Sequence, residues 1–90
     1  MNKYIATQKT TVKAENSIIQ PDNYTSIELI NIGADAAVVN NNIPLAPGAT
    51  YSFINEPYVT IGNATEIKFA GVEATKKVLV KIIYYKEEQV

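Results

Sequence analysis

Residues Ile27 to Phe53 read Ile-Glu-Leu-Ile-Asn-Ile-Gly-Ala-Asp-Ala-Ala-Val-Val-Asn-Asn-Asn-Ile-Pro-Leu-Ala-Pro-Gly-Ala-Thr-Tyr-Ser-Phe, and they decide the fold. Short β-branched and apolar runs alternate with residues that turn a chain. Thr25 to Ile32 is apolar on nearly both of its faces, with Ile27 and Leu29 on one and Ile30 and Ile32 on the other. Successive strand residues point to opposite faces, so this pattern predicts a central or covered strand. Gly33-Ala34-Asp35 breaks the run, and Ala36 to Val39 resumes it. Asn40-Asn41-Asn42 then supplies residues that tolerate positive φ in a hairpin loop, with Val38 and Ile43 pairing across it. Pro44 has no N–H to give a ladder, so the return strand through Leu45 belongs at an edge. Pro47-Gly48 fits the two central positions of a type II turn, with Gly48 taking the positive φ. Thr50 to Ile54 alternates again, with Tyr51 and Phe53 on one face.

The same grammar extends both ways. Upstream, Ser17 to Gln20 is a short apolar step, and Pro21-Asp22-Asn23 is turn chemistry. Residues 4 to 13, rich in Thr, Lys and Gln, suit an edge strand or an arm lying on a neighbour, and residues 1–13 as a whole read that way. Downstream, Tyr58, Val59 and Ile61 form a further run, and Gly62-Asn63 is a turn. Glu66 to Ala70 follows, with Ile67 and Phe69 facing together. Lys77 to Lys86 is the longest strand, carrying Val78, Val80, Ile82 and Tyr84 on one face and Leu79, Lys81, Ile83 and Tyr85 on the other. No window shows the 3.6-residue apolar period of a helix. Breaks every eight to twelve residues predict an all-β fold: one antiparallel β-sandwich or jelly-roll-like domain of about seven strands spanning residues 1–90. Its expected core is Ile27, Leu29, Val38, Ile43, Leu45, Phe53, Val59, Ile61, Ile67, Phe69, Val78, Val80 and Ile82.

Composition narrows the function. The 90 residues are 47% hydrophobic and 19% charged, which suits one folded domain and no more. Formal net charge is -1, and all eight cations are lysine, so there is neither the positive excess nor the arginine fork that nucleic-acid recognition uses. Nucleic acid is not an expected partner. With no cysteine there is no disulfide and no thiolate metal site, and a small domain without such staples gains from self-association. The N-terminus has no apolar signal region, and no window reaches the length of a membrane helix. The chain reads as cytoplasmically made, with no membrane partner. Two Asn-X-Thr triplets, at Asn23 and Asn63, read as turn residues.

Catalysis has few candidates, because histidine and cysteine are both absent. Asp22, Asp35, Glu56 and Glu66 sit in or beside turns without the spacing of a calcium loop and read as solvated. No catalytic residue, metal ligand or cofactor is expected. Gly33, Gly48, Gly62 and Gly71 are isolated turn residues rather than a phosphate loop. Lys76, Lys77, Lys81 and Lys86, offset by Glu87 and Glu88, read as protection of a strand edge. Tyr24, Tyr51 and Tyr58 lie near loops, where aromatic faces beside Asn and Asp could stack on a sugar; the competing reading has tyrosines filling the core and anchoring turns.

The strand through Leu29, the Gly33 turn, the short apolar strand, the asparagine turn, Ile43-Pro44-Leu45-Ala46-Pro47-Gly48 and Tyr51-Ser52-Phe53 together resemble small β-sandwich proteins of tailed bacteriophages. The likeness covers roughly residues 18 to 70, and bacterial surface sandwiches share parts of it. It implies a non-enzymatic virion subunit: a capsid decoration protein, a head-fibre base or a tail accessory, usually a homo-oligomer bound to other virion proteins. The residues themselves agree. A sandwich buries one face of each sheet, so Ile30, Ile32, Leu79, Ile83 and Tyr85 need a cover, which a neighbouring subunit or the chain's own N-terminal arm would supply. The alternative function is a carbohydrate-binding module using Tyr24, Tyr51 and Tyr58.

Overall fold

The computed structural model describes residues 2–71 and 75–89, and these are all-β. Eight strands follow in order: β1 (Asn2–Lys13), β2 (Ser17–Ile19), β3 (Ser26–Asn31), β4 (Ala37–Val39), β5 (Ile43–Leu45), β6 (Thr50–Ile54), β7 (Thr65–Phe69) and β8 (Val78–Gln89). They form two four-stranded sheets, ordered β1-β8-β3-β6 and β2-β7-β4-β5, in which every pairing is antiparallel. The eighth strand relative to expectation is β1, an edge strand in the plane of its sheet. The run expected at Tyr58 to Ile61 is not a strand. There the Val59 N–H closes a turn on the Glu56 carbonyl, and only Ile61 is anchored, donating to the Tyr24 carbonyl at 2.9 Å.

Turn chemistry sets the registers. Gly48 takes φ 84°, and the Ala49 N–H reaches the Ala46 carbonyl at 2.9 Å, closing the turn anticipated at Pro47-Gly48. Asn40 and Asn41 both take positive φ, 53° and 68°, which asparagine accepts at low cost. This loop pairs Val39, not Val38, with Ile43, and sets Val38 opposite Pro44. A one-residue slip exchanges the faces, so Ala37 and Val39 enter the core and Val38 points away. Pro44 lies on β5, at a sheet edge.

The core lies between the sheets and comprises Tyr24, Ile27, Leu29, Ala37, Val39, Leu45, Ile61, Ile67, Val78 and Val80. Ile43, Phe69 and Ile82, expected inside, are only partly buried against it. Phe53 and Val59 are exposed, at 44% and 41%. Val59 is exposed because its segment is a loop. Phe53 stands opposite Ile27 and so shares the inward face, but β6 ends its sheet.

Buried Asn31 holds the sheets in register. Its amide donates to the Asp35 carbonyl at 2.8 Å and the Leu45 carbonyl at 2.9 Å, while its Oδ1 accepts from the Gly33 N–H at 3.0 Å. Gly33 is required by close approach, since a Cβ there would lie 2.6 Å from the Thr75 carbonyl oxygen. Asp35, expected in solvent, is 3% exposed and accepts from the Gly71 N–H.

The molecule is elongated. Its extents are 52 × 19 × 16 Å and its radius of gyration 14.5 Å, against about 12 Å for an ordinary domain of this length. The cause is the β1 to β8 ladder, which runs unbroken from Lys13↔Val78 to Asn2↔Gln89, whereas β3 accompanies β8 only as far as Ser26↔Ile83. Tyr84 still packs on Tyr24, with ring centroids 6.3 Å apart and planes at 90°. Beyond it, residues 2–6 and 85–89 project as a bare two-stranded ribbon about 17 Å long.

Candidate subunit interface

Directly opposed residues of an antiparallel pair share a face, so the ladder registers locate the outer surface of the β1-β8-β3-β6 sheet. Ile30 stands opposite Leu79, Ser26 opposite both Ile83 and Ile54, and Tyr85 opposite Ala6. Ile30, Leu79, Ile83 and Tyr85 therefore lie on one face, as the sequence anticipates, and Ile32 continues its β3 end. Four of the five are half-buried, and only Ile32 is open, at 51% exposure. Their cover comes from the residues beside them. Two neighbours were not anticipated: Val12 opposite Leu79, and Ile54 on β6, at 49% and 69% exposure. Alternation with Thr50 and Ser52 marks Ile54 as outward-facing, a signal masked by the stronger pair Tyr51 and Phe53.

An ion pair divides this face. Lys81 Nζ lies 3.2 Å from Glu28 Oε1, and the Ser52 hydroxyl donates to Glu28 Oε2 at 3.2 Å. Both charged side chains keep more than a quarter of their surface, so the pair contributes only about 0.2 to 1 kcal/mol to stability. Its position matters more than its strength. One apolar patch, Ile30, Ile32, Leu79 and Val12, lies on one side; Ile83, Ile54 and Tyr85 lie on the other. Lys81 thus belongs to a central strand and protects no edge. The edge of that sheet is β1, whose lysines are Lys3, Lys9 and Lys13.

The N-terminal arm does not lie across this face. It pairs in plane with β8 along its whole length.

The tyrosines do not assemble a platform. Tyr24 is wholly buried, its ring edge-on to Tyr84, and Tyr51 packs against the core. Of these three, Tyr58 alone stands free, at 73% exposure. Burial pushes the Tyr24 hydroxyl above its ordinary pKa, an effect that Thr65 partly offsets and that Tyr84 and Asp22 reinforce. That hydroxyl makes no hydrogen bond of acceptable geometry. Among the described residues no group of three or more carboxylates gathers that could hold a metal ion, and no helix is long and apolar enough to cross a membrane. No family model, curated protein or solved structure matches the chain.

Proposed function

We propose that this protein is a non-enzymatic structural subunit that works by packing against its neighbours through the outer face of the β1-β8-β3-β6 sheet. The observation that carries the reading is that face itself. Ile30, Ile32, Leu79, Ile83 and Tyr85 share it with exposed Val12 and Ile54, and the N-terminal arm lies beside it in the plane of the sheet, not over it. Exposed apolar patches such as the two flanking the Glu28–Lys81 pair are what monomers keep small and interfaces use. The projecting ribbon points the same way, since an isolated two-stranded ribbon is at best marginally stable in water. The resemblance of residues 18 to 70 to small tailed-phage β-sandwich proteins supports reading such a subunit as a virion component, a capsid decoration, head-fibre base or tail accessory in several copies. The carbohydrate-binding alternative loses Tyr24 to the core and has only one open ring left, so it is not pursued.

The double variant Ile83→Ser, Tyr85→Ser tests the interface. Light scattering should show the wild-type assembly reduced to monomer, with circular dichroism retaining the β spectrum. An unchanged oligomer would defeat the reading, as would a wild type that is monomeric and absent from purified particles by mass spectrometry.

A further inference from the structure

We propose that the free edge of β1 accepts an extended acidic segment of another protein, added antiparallel as a fifth strand of the β1-β8-β3-β6 sheet. The site adjoins the outer face along Val12 and Ala6, and the inference goes beyond packing through that face. β1 is last in its sheet, twelve residues long, without proline, and its described side chains are exposed except for half-buried Lys13. One side of its backbone pairs with β8 over the full length, leaving the other row of N–H and C=O groups to solvent. An edge this long and regular is a template for strand addition.

Charge selects the occupant. Lys3, Lys9 and Lys13 are the only charged residues of β1, and all three fall on one face of the strand. On β8, Lys9 stands opposite Ile82 and Lys13 opposite Val78, with Val80 and Tyr84 as diagonal neighbours, so no carboxylate on β8 answers either lysine. Among the described residues no ion pair engages them. A second β1 carries no carboxylate, so a copy of the same strand offers Lys9 and Lys13 nothing to pair with. A segment with carboxylates four residues apart places one opposite Lys13 and the next opposite Lys9. On the other face of such a segment, β-branched residues would meet Val12, Thr10 and Ala6. The edge lysines thus act in two ways at once, against self-pairing and for an acidic strand. Antiparallel addition matches every existing pair in the sheet and is the more stable arrangement per residue.

The probe is the peptide Glu-Val-Thr-Thr-Glu-Val-Thr-Val-Thr-Ile, compared with the same peptide carrying Lys at both Glu positions. Fluorescence anisotropy with the full chain should show the acidic peptide binding about tenfold more tightly, the size expected from two exposed ion pairs exchanged for two repulsions. Hydrogen exchange should show new protection of β1 amides. The variant Lys9→Glu, Lys13→Glu alters side chains without removing core contacts and should reverse the preference. Equal binding of both peptides, binding of neither, binding without β1 protection, or tighter binding of an oligothymidine of equal charge would overturn the proposal. Self-association that protects β1 without peptide would also overturn it. Ile83 and Tyr85 belong to β8 and the peptide assay reads the β1 backbone edge, so failure of the peptide to bind leaves the light-scattering result for the outer face standing.

Discussion

At the scale of single residues, Tyr24 shows how position overrides composition. Beside a turn and next to Asn23 it resembles a surface aromatic, yet its ring is wholly buried and its hydroxyl is left with a poorly aligned contact to Thr65. Leaving such a group unsatisfied costs the folded state, so Tyr24→Phe should be neutral or stabilising, by about 1 kcal/mol, in urea denaturation at pH 7. The pH dependence has a definite sign. Its hydroxyl ionises at a higher pH in the folded protein than in the unfolded chain, whose value is near 10.0. Below that value the phenol is neutral in both states and its contribution is complete. As pH rises through the interval up to the raised folded value, the unfolded chain loses its proton first and stability falls. Tyr24→Phe should flatten that alkaline decline; a variant that loses stability as steeply as wild type would refute the assignment. Asn31 was equally hidden. One polar residue between Ile30 and Ile32 looks like strand alternation, and nothing local signals that its amide ties three backbone groups from two other segments. The Leu45 carbonyl is in reach only once the sheets meet, and the Gly33 and Asp35 groups only once the loop after β3 has closed. Lys9 and Lys13 fared better, because their strand's composition already marks an edge.

At the scale of elements, alternation and turn residues carried most of the architecture. Thr50 to Ile54, the Pro47-Gly48 turn, the asparagine loop and the edge placement of Pro44 were all legible, since each depends on local chemistry. Two kinds of information were not. The face of β4 depends on the residue count of its loop, so a slip of one position exchanged Val38 for Val39. Phe53 was assigned to the core from alternation alone, which reports a face but not whether a second sheet extends over it. Its position on edge strand β6 and that of Leu29 on central strand β3 predict a clear contrast. Leu29→Ala should cost about 2 to 5 kcal/mol, while Phe53→Ala should cost about 1 kcal/mol or less. Urea midpoints of the two variants check this, and equal losses would mean that Phe53 is covered in solution. The segment from Tyr58 to Ile61 had the residue types of a strand, but only Ile61 finds a backbone partner on the sandwich, and propensity without a neighbour makes a loop.

At the scale of the whole molecule, the fold class is legible, but the elongation is not, because nothing local says how far β8 outruns β3. The outer face was readable from two-sided apolar strands. Its division by Glu28 and Lys81 was not, since it required knowing that the two stand opposite each other. The arrangement of the first sheet also has a consequence in time. Its second strand in space, β8, comes after every other strand in sequence, and it joins β1, the earliest, to β3. On a ribosome, β1 and β3 are finished long before the only strand that can bridge them exists, and each must wait unpaired on that side. Loop closure over nearly the whole chain has to precede the contacts that reward it, which places refolding in the range of about milliseconds to seconds. Stopped-flow refolding from urea should fall there, and relaxation in microseconds would contradict it. During synthesis the wait is longer still, and it leaves β1, with no proline and its lysines as guard, as the strand most in need of keeping other chains away.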